Sequence, residues 1–87
     1  MDELVIEGSG SLPTPELAAR LIELEGTMSA DPPTRVVLAD ASDACLAAAL
    51  VAAKLGISVV AHRAASEGSS VSSRLIAQLA ATYTAPA

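Results

Sequence analysis

Arg35-Val36-Val37-Leu38-Ala39-Asp40-Ala41-Ser42-Asp43, followed by the alanine-rich run from Ala44 to Leu55 and then by Gly56-Ile57-Ser58-Val59-Val60-Ala61, is the stretch that decides the fold. Arg35 to Ala39 reads as a strand whose residues 36–39 are a continuous aliphatic run of the kind buried on both faces of a parallel sheet. Asp40 to Asp43 supplies capping groups and early negative charge for a helix over 44–55. That helix is apolar nearly all round until Lys54, so it needs neighbours on more than one side. Gly56 closes it, and 57–61 reads as a further strand.

Upstream, Leu4-Val5-Ile6 is a short strand that leaves into the flexible turn Gly8-Ser9-Gly10-Ser11. Thr14-Pro15-Glu16 starts a helix, with Thr14 as the cap, Pro15 at the first helical position and Glu16 at the positive end of the dipole. Leu17, Leu21, Leu24 and Met28 keep helical spacing, with Ile22 beside them, and Gly26 is the expected stop. Ser29-Ala30-Asp31-Pro32-Pro33 separates this helix from the strand at 35. Downstream, 63–70 reads as a polar loop. Ser69 or Ser70 then caps a last helix with Val71, Leu75, Ile76, Leu79 and Tyr83 on its apolar face and Pro86 beyond its end.

The order β-α-β-α-β-α implies right-handed crossovers and parallel pairing. The expected architecture is therefore α/β: one domain over residues 1–87, a small three-layer Rossmann-like unit with a three-stranded parallel sheet. A sheet of this size exposes an edge, and alanine-rich helices offer little area per residue. Self-association or a protein partner is the expected remedy.

Composition narrows the function classes. Among 87 residues there are ten acids and five bases, a net charge of -5, and Tyr83 is the only aromatic residue. A phosphate-backbone partner is disfavoured, and no aromatic platform exists for single strands, so no nucleic acid is expected. Residues 1–43 hold nine acids and two bases, whereas 44–87 hold one acid and three bases, a split that permits head-to-tail attraction between copies. The acidic start Met1-Asp2-Glu3 lacks the basic and apolar regions of a signal peptide. The longest strongly apolar stretch, Ala44 to Ala53, is about half a bilayer span. The expectation is a cytoplasmic protein with no membrane partner. A lone Cys45 and a single histidine leave no metal-ligand set, and no cofactor is expected.

Ligands of open α/β sheets sit beyond the carboxyl ends of the strands, and the residues found there are the site candidates. Asp40 is either a helix cap or a group that binds a sugar hydroxyl or moves a proton. Ser42 stands two residues on in the same turn. His62 is either a loop histidine or a base, although no Ser-His-Asp pattern accompanies it. Arg63 and the serines at Ser69 and Ser70 are either loop and cap or an anion cradle. Gly8-Ser9-Gly10 lacks the third glycine of a dinucleotide fingerprint and reads as a turn. Cys45, in the first turn of its helix, reads as a packing residue.

Val36-Val37-Leu38-Ala39-Asp40-Ala41-Ser42, Leu46-Ala47-Ala48-Ala49-Leu50, Lys54-Leu55-Gly56-Ile57-Ser58-Val59-Val60-Ala61-His62 and Ser72-Ser73-Arg74-Leu75-Ile76-Ala77-Gln78-Leu79-Ala80 stand in this order. Together they resemble a segment of the non-hydrolysing UDP-N-acetylglucosamine 2-epimerase family, over about residues 34–87. The resemblance implies half of a GT-B arrangement, with a nucleotide sugar as the ligand. It carries Asp40 onto the acid of the family's Gly-Asp-Thr strand end and His62 onto its strand-end histidine. The family's other site residues fall on Ala64, Ser69, Ser70 and Ser73, none of which can serve as a general base in that chemistry. A scaffold kept without its reactive groups implies a non-catalytic interaction or accessory module, self-associating or docking on a sugar-nucleotide enzyme. The alternatives are a small-ligand protein that binds a nucleotide sugar or another anion, and a relic fragment of a larger epimerase.

Overall fold

The computed structural model describes residues 2–8 and 10–83, with the side chains of residues 82 and 83 left out. Its elements are β1 (Glu3–Ile6), α1 (Thr14–Ala30), β2 (Arg35–Leu38), α2 (Asp43–Leu55), β3 (Ser58–Ala61), α3 (Arg63–Ser66) and α4 (Val71–Tyr83). The strands form one parallel sheet in the order β1-β2-β3, as the sequence leads one to expect. Its register places Leu4, Val36 and Val59 in one row and Ile6, Leu38 and Ala61 in another. Both rows pack against the helices.

The expected third layer is absent among the described residues. Because β1, β2 and β3 succeed one another in a single direction across the sheet, two right-handed crossovers deliver α1 and α2 to the same face. α1 and α4 flank α2 on that face, and the molecule is only 17 Å thick along its shortest axis. α2 is accordingly buried nearly all round, through Ala44, Cys45, Ala47, Ala48, Ala49, Val51 and Ala52. Small side chains there let α2 sit close to the sheet and to both neighbours. The opposite face carries the rows Glu3–Arg35–Ser58 and Val5–Val37–Val60, and none of these residues belongs to the core cluster.

Helix boundaries differ from expectation where tertiary packing overrides local signals. α1 runs through Gly26 to Ala30, because Met28 is fully buried and completes the packing face begun at Leu24. The stop comes from Asp31-Pro32-Pro33. Its N-cap is Pro13, and Thr14 is the first helical residue. Ile22 is 76% exposed and lies outside the packed face. α2 begins at Ser42, whose hydroxyl accepts from the Cys45 amide at 3.3 Å, and ends at Gly56, where φ is 73° and a side chain would be strained. The stretch expected as a loop closes into the single turn α3, in which the amides of Ala65 and Ser66 donate to the His62 carbonyl.

α4 starts as expected, with Ser70 accepting from the Ser73 amide at 3.1 Å. Its buried side is Ser73, Ile76 and Ala80, whereas Val71 and Leu75 point outward, 72% and 43% exposed. The rotation follows from Ser73, whose hydroxyl donates to the Ala65 carbonyl at 2.8 Å and accepts from the Gly68 amide at 2.9 Å. Anchoring that serine to α3 turns Val71 and Leu75 away from the core, while Ile76 and Leu79 of the expected face stay packed on it. Tyr83 is the last residue of α4, and its side chain, like Pro86, lies outside the described part.

Candidate functional site at the carboxyl end of the sheet

The carboxyl ends of β1 and β2 and the first turn of α2 converge, and Asp40 ties them together. Its carboxylate accepts from the amides of Gly8 and Ser42, each at 3.0 Å, and from the Cys45 thiol at 3.3 Å. The Cys45 thiol also approaches the Ile6 carbonyl, at 3.2 Å. Gly8 has to be small: a β-carbon there would lie 3.1 Å from the Ser42 hydroxyl and 3.2 Å from the Ala44 β-carbon. Partial burial alone would raise the Asp40 carboxyl. The hydrogen bonds from Ser42, Gly8 and Cys45 outweigh that and hold it at about 2. Burial pushes the Cys45 thiol up, away from the reactive thiolate and in accord with a packing role.

Asp43 makes a second tie. One carboxylate oxygen accepts from the Leu12 amide at 2.7 Å and the other from the Ser72 hydroxyl at 3.1 Å, which joins the loop after β1 to the start of α4. The backbone of α2 is engaged as well. The Ser42 amide goes to Asp40, the Asp43 amide to the Gly10 carbonyl and the Cys45 amide to the Ser42 hydroxyl. In a nucleotide-binding α/β fold such amides face an anion. Here the chain's own carboxylate and hydroxyl take that place.

A cleft of about 220 Å³ lies beside this knot, lined by Glu7, Gly8, Gly10, Leu12, Arg20, Ser42 and Ala44. Of the residues expected to bind a ligand, Ser42 alone lines it. His62 is exposed where β3 ends, and its backbone amide, not its ring, joins the ladder by donating to the Leu38 carbonyl. Arg63 is exposed and faces Glu67 at 3.6 Å. Ser69 is exposed, and Ser70 is occupied as the cap of α4. No hydrogen bond among the described residues links these four to the Asp40 knot.

Arg20 and Asp43 are the residues that sequence reasoning missed as contributors. For Arg20 there was a signal, because it falls three residues after Leu17 and four before Leu24, on the packed side of α1. For Asp43 there was none beyond its capping position, since its partners lie 31 and 29 residues away. No three of His, Cys, Asp and Glu among the described residues gather to hold a metal, and no described helix is long and apolar enough to cross a membrane.

The chain matches no family model, no curated protein and no solved structure.

Proposed function

We propose that this chain is a non-catalytic interaction module whose working surface is the uncovered face of its parallel sheet. One observation carries the reading: Val5, Val37 and Val60 stand side by side across the strands on the face that no described helix covers. Val5 is 58% exposed, Val60 is half-buried, and Val37 on the central strand is shielded between them. Parallel sheets are almost always covered on both faces, because their strands are apolar on both. An apolar row whose rim is left in water is a contact surface in search of a cover.

The carboxyl end of the sheet supports the same reading from the other side. Its acidic group is committed to three internal donors, and at the start of α2 the amides of Ser42, Asp43 and Cys45 already have partners. A sugar-nucleotide enzyme as docking partner has the epimerase resemblance alone behind it, and self-association is the form that can be tested on the purified chain.

Sedimentation velocity from low micromolar to millimolar protein is the test. The wild type is expected to gain mass with concentration, and Val5→Glu to stay monomeric. A clean wild-type monomer across the range would overturn the reading. A parallel titration with UDP-N-acetylglucosamine, followed by amide chemical shifts, is expected to leave Asp40, Ser42, His62, Arg63, Ser69 and Ser70 unmoved. Movement confined to them would replace this reading with ligand binding.

A further inference from the structure

We propose that the uncovered sheet face is occupied by α4 of a second copy of this chain, so that copies join head to tail. The inference rests on the interaction-module reading and names the partner for that surface. The faces of a parallel sheet are normally covered by helices, so the missing cover is an apolar helix face. This chain displays a half-apolar one: Val71, Arg74, Leu75 and Gln78 are all exposed and, at spacings of three, four and seven, form one outward stripe of α4 whose apolar members are Val71 and Leu75.

The dimensions agree. Three strands of four residues make a patch roughly 14 Å wide and 13 Å long at ordinary strand spacing and rise. Val71 to Gln78 spans about 10 Å of helix, which sets the two apolar side chains of the stripe over the valine row.

Charge selects the helix over the alternative cover, a second sheet face. Stacking two bare faces about a twofold axis parallel to the strands brings Arg35, on the central strand, against its own copy. An axis across the strands reverses the copy and, centred on the valine row, brings Glu3 at the start of β1 against the copy's Glu7 just past its end, both exposed. Like charges meet in both arrangements, at a cost that suppresses them. The α4 stripe carries Arg74 and no carboxylate, and in the orientation that sets Arg74 beside Asp2 and Glu3 at the β1 edge, away from Arg35, opposite charges meet.

Such a contact is heterologous, using different surfaces on the two copies, and it leaves a free sheet face at one end of a pair and a free α4 at the other. The patch is also small against the roughly 800 Å² per partner of a standard interface, so association should be weak and concentration-dependent.

Heterologous pairing has a signature that twofold pairing lacks. Val5→Glu destroys the sheet surface and spares α4, and Leu75→Glu does the reverse; both positions are exposed, so both variants should fold, as amide dispersion will verify. Each variant alone is expected to lose about tenfold or more in self-association. An equimolar mixture of the two should form a one-to-one pair that grows no further, seen by sedimentation velocity. If the wild type associates and Val5→Glu abolishes it, but the mixture stays monomeric, the α4 partner is wrong and the interaction-module reading stands. If the wild type is monomeric throughout, both fall.

Discussion

The two faces of the sheet are built from alternate residues of the same three strands, and they have opposite fates. Val36 and Val59 are fully buried beneath α2, whereas on the other side Val5 is exposed, Val60 is half-buried and Val37, on the central strand, is buried but outside the core cluster. Chemically the rows are near copies: Leu4–Val36–Val59 on one side, Val5–Val37–Val60 on the other. What separates them is topology. A steady strand order with right-handed crossovers sends every helix to one side and leaves the other to be covered from outside the described chain.

The largest test of that contrast is a pair of truncations. Leu38→Ala, on the covered face, should cost about 2–5 kcal/mol in urea unfolding, because it opens a cavity beneath α2. Val5→Ala, in dilute monomer, should stay within about 0.5 kcal/mol. Equal costs would mean that both faces are packed.

Next in size is the knot at the carboxyl end. Asp40→Ala leaves the amides of Gly8 and Ser42 without their acceptor and should cost about 1–3 kcal/mol while leaving the sheet face and its association intact. The same group sets an acid limit. Its carboxyl is held below its ordinary value of 3.8, at about 2, so its contribution is complete above 3.8 and is lost as pH falls through about 2. Asp40→Asn should flatten the stability curve across that window, measured by urea midpoints at successive pH values. Ser73→Ala comes next, at about 1–2 kcal/mol, since the Ala65 carbonyl and the Gly68 amide lose their shared partner. The smallest effect belongs to the surface pair of Lys54 with Glu25, joined at 2.9 Å and well exposed: Glu25→Gln should change stability by no more than about 0.5 kcal/mol.

Much of the fold was legible because its signals are local. Periodicity, Ser42 before α2, Gly56 after it and the prolines at 32 and 33 place the strands and helices in order. Which face the helices cover was only partly legible: Val36 to Ala39 is apolar in both registers, and the polar markers of the open face, Glu3, Arg35 and Ser58, stand only at the first position of each strand. Gly26 misleads for a related reason: the burial of Met28 outweighs the weak helix propensity of one glycine. The outward turn of Val71 and Leu75 depends on Ser73 reaching back to Ala65, a contact that periodicity does not encode.

At the candidate site the sequence identified Asp40 as a group at a strand end but not what it does. Its Gly8 partner lies 32 residues away and comes beside it only once β1 and β2 have paired. Capping and ligand binding call for the same residue types at the same positions, and the difference lies in whether the chain supplies the partners itself. Here it does, for Asp40 through Gly8, Ser42 and Cys45.

Valine methyl spectra recorded over a concentration series test the central claim most directly. The methyls of Val5, Val37 and Val60 are expected to shift or broaden as the protein is concentrated, while those of Val36 and Val59 stay still. A series in which the two sets behave alike, both moving or both fixed, would contradict it.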